Sequence, residues 1–187
     1  MFKVLLIAGC LLFNHAAAQS PNIEVAVQWA VDIANDNSHG YSQGNPPYQG
    51  SRDAPDFDCS SLVYYALDRA GFNIINNWHN NPLFFSRYDG KQIVGDADTI
   101  WQDLSVDGGW QKFSWFDIKD NLKRGDILCI PQHHVAFYIG DGKTVEARGV
   151  NNPTGRGRYE TGDQGGEIDF YSAYDRYWTE VYRYTGE

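Results

Sequence analysis

One cysteine stands where a protein can activate a nucleophile, at the start of a predicted helix in residues 55–71. Apolar residues recur there at the spacing of one helix face, with Asp58 as the predicted N-cap and Gly71 as the predicted stop. Cys59 would occupy the first turn, where unpaired backbone N–H groups and the positive end of the helix dipole favour the thiolate over the thiol. The position therefore predicts a cysteine nucleophile, and a small buried core residue is the alternative.

A cysteine nucleophile needs a base, which is usually an imidazole held by a third polar group. Two adjacent histidines, His133 and His134, open a predicted strand, whereas His39 and His79 lie in predicted loops. Because neighbouring strand residues point to opposite faces, at most one of the adjacent pair can meet Cys59. The strand therefore offers one candidate general base. The alternative is that this histidine has no catalytic role and is only a partly exposed, hydrogen-bonded strand residue.

The length of the turn after this strand decides which way the carboxylate of Glu146 points. A two-residue turn at 141–142 would put it on the face opposite His134. A three-residue loop at 140–142 would pair it with Ala136 and leave it diagonal to His134 on one face. We predict the three-residue loop, because glycines at both of its ends tolerate the positive φ angles that a bulged loop requires.

The predicted helices precede the predicted strands along the chain. Ser20 and Pro21 predict the N-cap and first residue of a helix that ends near residue 36, and the segment near 99–104 is a short strand or helix. From residue 125 onward the pattern is that of strands, rich in β-branched and aromatic residues: 125–131, 133–140, 143–149 and 178–184. The fold class predicted is α+β, with helices packed against one face of an antiparallel meander.

The chain begins with a segment typical of a secretory signal peptide, residues 1–18. One positive charge at Lys3 precedes an apolar run over 4–13, and the alanines at 16–18 satisfy the small-residue rule for cleavage. The apolar run is too short for a permanent membrane helix. We therefore predict secretion, and a bacterial lipoprotein box ending at Cys10 is the alternative reading.

Residues 19–187 predict a single domain, because they can form one substantial core and no linker, repeat or low-complexity block divides them. The net charge of the chain is −9, and loss of Lys3 with the signal segment makes it more negative. Such an acidic protein is a poor candidate for binding nucleic acid or for electrostatic adhesion to an acidic membrane. We expect a monomer without membrane association after cleavage.

Two cysteines, Cys59 and Cys129, remain after the predicted cleavage, in a compartment that permits disulfides. A disulfide between them is possible, but it would consume the thiol at the helix tip. A domain of this size seldom needs one bridge for stability. We therefore predict Cys129 as a buried strand residue.

Three blocks together resemble the NlpC/P60 family of cysteine peptidases, and they occur in the family's order. The blocks are FDCSSLVYYAL, LKRGDILCI and HHVAFYIGDGKTVEARG, and the resemblance covers residues 55–149. The sequence DCSSLVYYAL, with YSQ upstream, is especially similar to the corresponding sequences of the phage-type peptidoglycan hydrolases in this family. The resemblance implies a compact papain-like fold and cleavage of the stem peptides of bacterial peptidoglycan.

The resemblance also implies roles for individual residues. Cys59 matches the family's nucleophile, and His134 matches its general base. Glu146 falls where the family places a third polar residue, which is often a histidine. A carboxylate there would favour the imidazolium and hold a thiolate–imidazolium pair over a wider pH range.

Five further residues are predicted to contact the substrate. Tyr41 resembles the family tyrosine that lines the cleft and helps to polarise the scissile carbonyl, and Tyr48 is its rival. Asp58 and Ser60 flank the nucleophile as in the family, where such positions contact the amine end of the substrate, although capping is a sufficient reason for Asp58. In an otherwise acidic chain, we expect Arg148 to meet a substrate carboxylate.

The implied reaction is acyl transfer to water at the bond that joins D-γ-glutamyl to diaminopimelate or lysine, with no metal or other cofactor. An N-acetylmuramoyl-L-alanine amidase with the same triad is the nearest alternative. A catalytically silent wall-binding protein and an acyltransferase with a non-water acceptor are others. A zinc site from Cys129, His133, His134 and Glu146 is disfavoured, because adjacent strand residues cannot readily share one ion.

Overall fold

The computed structural model describes residues 20–42, 55–74, 97, 100–148, 162 and 166–186. The helices there are α1 (Ile23–Ala34), α2 (Cys59–Arg69), α3 (Ile100–Asp107) and α4 (Trp115–Ile118), and the strands are β1 (Trp110–Ser114), β2 (Ile127–Ile130), β3 (His134–Gly140), β4 (Lys143–Ala147), β5 (Ile168–Ser172) and β6 (Glu180–Tyr184). The predicted α+β class is confirmed. The predicted signal peptide, Tyr48 and His79 lie outside the described residues. None of the described helices has the length and apolar character that a membrane span requires.

Helix α1 begins later than its predicted N-cap at Ser20. The side chain of Asn22 accepts a hydrogen bond from the backbone N–H of Glu24 at 3.0 Å and so caps the helix. Serine and asparagine are comparable N-caps, so a tertiary contact decides between them. The backbone N–H of Asn22 donates to the carbonyl of Ala70 at 3.0 Å, which ties the start of α1 to the end of α2. The helix is confirmed, and the cap at Ser20 is wrong.

Helix α2 has the two ends that its sequence predicts. The carboxylate of Asp58 accepts a hydrogen bond from the backbone N–H of Ser61 at 2.7 Å, and Ser61 Oγ accepts one from the backbone N–H of Asp58 at 2.9 Å. This capping box stabilises the helix by about 1 kcal/mol. The chain leaves the helix at Gly71, whose φ of +86° suits glycine. Cys59 is thereby fixed in the first turn.

The six strands of the described residues form one antiparallel sheet in the order β1-β6-β2-β3-β4-β5. Strands β2, β3 and β4 form the predicted meander, and β5 continues it in place of the predicted last strand, β6. Strand β6 returns to pair with β2, and β1 pairs with its outer edge. Strands β1 and β5 were not predicted, and the place of β6 in the sheet has no local signal because its partner β2 lies far away along the chain.

The sheet separates two apolar clusters. One cluster lies under α1, α2 and α3 and takes Val135 and Phe137 from β3, and the other takes Ala136 and Tyr138. The second cluster is closed by the four-residue helix α4 and by Trp178. The predicted N-terminal helices α1 and α2 pack against the other face, as expected. Because both faces of β3 are covered, its sequence is apolar without a polar alternation.

A buried ion pair joins the strand β6 to the start of β2. Asp126 is 1% exposed, and its carboxylate accepts hydrogen bonds from Nε and Nη2 of Arg183 at 2.7 and 2.6 Å. The backbone N–H of Lys123 donates to the same carboxylate at 2.7 Å. The pair therefore helps to fix the non-local strand pairing that the sequence did not reveal.

Replacing Arg183→Met should lower the free energy of unfolding by about 3 kcal/mol, because it leaves the Asp126 carboxylate buried without its cation. Lys119→Met, which removes an exposed pair with Asp120, is the matched control and should cost less than about 1 kcal/mol. Urea titration monitored by tryptophan fluorescence measures both. Equal losses in the two variants would contradict a structural role for the buried pair.

Candidate active site

The register of β3 against β4 brings the candidate histidine and carboxylate to one face of the sheet. Phe137 lies opposite Val145, and the same register carried one position further places Ala136 opposite Glu146. His134 and Ala136 share a face because side chains alternate along a strand. The carboxylate is therefore diagonal to the imidazole, as predicted.

The loop that sets this register differs in detail from the predicted three-residue loop. Gly140 pairs with Lys143, so the turn itself contains only Asp141 and Gly142, and a bulge between Tyr138 and Gly140 supplies the extra residue. The φ angles of Gly140, Asp141 and Gly142 are +97°, +50° and +68°. Positive φ at both central residues is typical of the tight hairpin turn, and the bulge restores the register that a longer loop would give.

His134 and Glu146 form a buried hydrogen-bonded pair. The Nε2 of His134 lies 2.7 Å from Oε2 of Glu146, and the two residues are 6% and 0% exposed. Because an ionised carboxylate only accepts, Nε2 carries the proton and Nδ1 is left as the basic nitrogen. The ring of Trp178 stacks on the imidazole, with 5.8 Å between centroids. His133 is exposed, in keeping with the expectation that only one of the adjacent histidines points inward.

Glu146 is the centre of a larger polar network. Arg148 donates to it through Nε at 2.7 Å and Nη2 at 3.0 Å, and the hydroxyl of Thr144 donates to Oε1. The Nε of Arg176 lies 3.4 Å from Oε2. Burial alone would raise the pKa of Glu146, but the hydrogen bonds from His134, Arg148 and Thr144 outweigh it and lower that pKa to about 2. The carboxylate is therefore charged at any physiological pH.

Arg148 faces the network rather than an open cleft. Its Nη1 and Nη2 donate to the carboxylate of Asp175, each at 3.0 Å, and its guanidinium lies 3.5 Å above the ring of Tyr171. Its side chain is only 10% exposed. All three guanidinium nitrogens are thus engaged, so this arrangement favours orientation of Glu146 over the substrate contact expected for Arg148.

The electrostatic effect on His134 is opposite to the one expected from its carboxylate partner. Burial lowers the pKa of His134 below the usual value of 6.5, and the charges of Arg176 and Arg148 lower it further. Glu146 opposes this shift by hydrogen bonding and charge, but it does not outweigh the burial. Glu146 thus favours the imidazolium, as expected, but burial prevails and the imidazole is neutral at neutral pH. The wider pH range of a thiolate–imidazolium pair stays a prediction.

Cys59 is the first residue of α2 and is partly exposed. It packs at the margin of the apolar cluster that contains Val135, the neighbour of His134, and α2 packs directly on β3. No disulfide joins Cys59 to Cys129. Cys129 is fully buried in β2, as predicted, and its thiol lies 3.5 Å from the carbonyl of Ala97.

The side chains that flank Cys59 are bound into the helix start. The Oδ1 of Asp58 accepts hydrogen bonds from the hydroxyl of Ser60 at 2.8 Å and from the backbone N–H of Ser61 at 2.7 Å. Asp58 and Ser60 are buried, at 8% and 3% exposure. Capping therefore accounts for Asp58, and the contact of either residue with the substrate stays a prediction.

Tyr41 lies beside the segment that leads into the cysteine helix. It forms an isolated parallel β-bridge with Phe57, two residues before Cys59, and its backbone N–H donates to Oε2 of Glu167 at 3.1 Å. This brings Tyr41 close to the helix start along the backbone. Its rival, Tyr48, lies outside the described residues.

Three residues of the β5–β6 connection join the site without having been predicted: Asp175, Arg176 and Trp178. Their sequence, DRYW, offers only a charged and aromatic composition before a strand. Nothing in that composition indicates contact with a hairpin formed thirty residues earlier, because such contacts depend on how β5 and β6 enter the sheet.

The predicted ligands of the alternative zinc site do not converge. Cys129 belongs to the cluster under the helices, whereas His134 stacks on Trp178 in the other cluster, and His133 is exposed. Within the described ranges, no group of three or more histidine, cysteine, aspartate or glutamate side chains is arranged to hold a metal ion.

NMR titration of the His134 imidazole in a Cys59→Ala background should give a pKa below 6.5. Adding Glu146→Gln removes the charge that raises this pKa and should lower it further. Arg124→Gln, which breaks a surface pair with Glu24, is the control and should leave the value unchanged. A higher pKa of His134 in the Glu146→Gln variant would contradict the arrangement described.

Comparison with known proteins agrees with the resemblance inferred from the three sequence blocks. The model of the NlpC/P60 family matches residues 44–185. The fold is similar to NlpC1 from Trichomonas vaginalis, at 14% identity and a TM-score of 0.47, over 89% of this chain and 45% of that one. It is also similar to a hypothetical invasion protein of Mycobacterium tuberculosis, at 18% identity and a TM-score of 0.45, over 87% and 63%.

The chain thus spans less than two thirds of the length of these two structures. No curated protein matches it. The family match extends over most of the sequence and includes every element that carries the cysteine, the histidine and the glutamate. The chain belongs to the NlpC/P60 family, whose members are generally cysteine peptidases that hydrolyse peptidoglycan.

Proposed function

We propose that this protein is a secreted cysteine endopeptidase that cleaves peptidoglycan stem peptides with Cys59, His134 and Glu146. The observation that carries the proposal is the buried bond from His134 Nε2 to Glu146 at 2.7 Å. That bond fixes the tautomer and leaves Nδ1 as the proton acceptor. Cys59, at the tip of the helix packed on β3, is the nucleophile that such a base would serve.

The reaction begins with transfer of the Cys59 thiol proton to Nδ1 of His134. The sulfur attacks the carbonyl carbon of the scissile amide, and the resulting oxyanion is stabilised by the backbone N–H of Cys59 and the phenol of Tyr41. The imidazolium then protonates the leaving amine, which departs and leaves a thioester on Cys59. His134 next takes a proton from water, and the hydroxide attacks the thioester and expels the Cys59 thiolate, which releases the product as a carboxylic acid. The imidazolium then returns its proton to the thiolate.

Glu146 and Arg148 would act on this cycle through His134. The bidentate contact of Arg148 holds the Glu146 carboxylate in place, and the carboxylate holds the ring. The low pKa of His134 suits the first step, since a neutral imidazole is the form that accepts a proton. Glu146 contributes most when the imidazolium forms, because a fixed negative charge then lies next to a new positive one.

The bond we propose is the one between D-γ-glutamyl and diaminopimelate or lysine. The test is digestion of purified peptidoglycan by the wild type, Cys59→Ala and Cys129→Ala, with fragments read by mass spectrometry. The wild type and Cys129→Ala should create new termini at that bond. Cys59→Ala should be slower by at least about a thousandfold, because the nucleophile is lost.

Other products would support other functions. Release of the entire stem peptide from the glycan would indicate an amidase with the same triad. Binding to the wall without new termini would indicate a silent wall-binding protein. Equal digestion by the wild type and Cys59→Ala would remove Cys59 from the mechanism.

A further inference from the structure

Arg176 differs from Arg148, the other arginine of the network, because most of its N–H donors make no hydrogen bond to the described residues. Its Nε lies 3.4 Å from Oε2 of Glu146 and makes no hydrogen bond, although that nitrogen is buried. Among the described residues, Glu146 is its only ion-pair partner. Its side chain is 28% exposed, compared with 10% for Arg148. A guanidinium carries five N–H groups, so most of the hydrogen-bonding capacity of Arg176 remains for a ligand.

The backbone around Arg176 is firmly held. Asp175 accepts two hydrogen bonds from Arg148, and the indole N–H of Trp178 donates to the carbonyl of Ala173 at 2.8 Å. Trp178 is 1% exposed and stacks on His134. The guanidinium of Arg176 is therefore presented from a fixed segment beside the histidine, unlike an arginine on a loose surface loop.

The network does not need Arg176 to satisfy its carboxylate. The two oxygens of Glu146 already receive hydrogen bonds from His134, Arg148 and Thr144. Arg148 binds Glu146 in bidentate geometry and Asp175 on its other side. Arg176, a second and partly exposed cation beside Glu146, is suited to bind an anionic group of a ligand.

We propose that Arg176 is a substrate-binding residue that holds the free α-carboxylate of the γ-linked glutamyl residue. This inference rests on the proposed function. In a γ-glutamyl peptide the side-chain carboxyl forms the scissile amide, so the α-carboxylate stays ionised only a few bonds from the reacting carbon. Arg176 and His134 contact the same oxygen of Glu146, so the remaining donors of Arg176 lie close to the imidazole that we propose as the base. The bound carboxylate also offsets the positive charge that Arg176 places near the imidazolium formed during the reaction.

Binding can be measured without cleavage in the Cys59→Ala protein by calorimetry. The probes are the synthetic peptide L-Ala-γ-D-Glu-L-Lys-D-Ala and the same peptide with its glutamyl α-carboxylate converted to an amide. The carboxylate peptide should bind at least about tenfold more tightly, as expected for a charge-assisted bidentate contact. Adding Arg176→Gln should abolish this preference, and Arg176→Lys should keep part of it. The control, Arg124→Gln, should keep all of it.

Cleavage of the same two peptides by proteins that retain Cys59 separates this inference from the proposed function. Arg176→Gln should lower kcat/KM at least about tenfold on the carboxylate peptide and about twofold or less on the amide. Equal binding of both peptides, or equal losses of kcat/KM on both, would overturn the assignment while leaving the peptidase proposal intact. A preference in binding without any cleavage by the wild type would support the carboxylate site and refute the peptidase.

Discussion

The candidate site depends on the register of one β-hairpin. Because side chains alternate along a strand, a shift of one residue between β3 and β4 would turn the carboxylate of Glu146 to the other face, away from His134. The bulge between Tyr138 and Gly140 sets this register, and the positive φ angles of the turn allow a hairpin with a bulge so close to its tip. A backbone feature at the far end of the strands therefore determines whether the imidazole has a partner.

The complete burial of Glu146 has consequences beyond that pairing. A buried carboxylate must be given donors, and here one arginine, one hydroxyl and the histidine provide them. Burial lowers the pKa of the His134 imidazole more than the carboxylate raises it, and the charges of Arg176 and Arg148 lower it further. The imidazole of His134 is therefore neutral at neutral pH before any reaction begins. Glu146 stabilises the imidazolium during the reaction and not before it.

Local signals in the sequence predicted much of what positions the site. The caps of α2 could be predicted because capping depends on residues at a fixed short spacing. Four strands could be predicted from their composition. The relation of His134 to Glu146 was predicted from a three-residue loop, and a two-residue turn with a bulge gives the same register. The partners of Arg148 could not be read: Asp175 lies 27 residues away, and the return of β6 to the side of β2 leaves no local pattern. Sequence alone therefore assigned Arg148 to the substrate and missed Arg176.

The central claim is that the imidazole of His134 takes the proton of Cys59. The rate of alkylation of Cys59 by iodoacetamide across pH, read by peptide mass mapping, tests it most directly, with Cys129 as the buried reference thiol. The account predicts that His134→Ala slows alkylation of Cys59 at neutral pH by at least about tenfold, while the exposed neighbour's variant, His133→Ala, reacts like the wild type. Identical rates in the wild type and His134→Ala at every pH would contradict it.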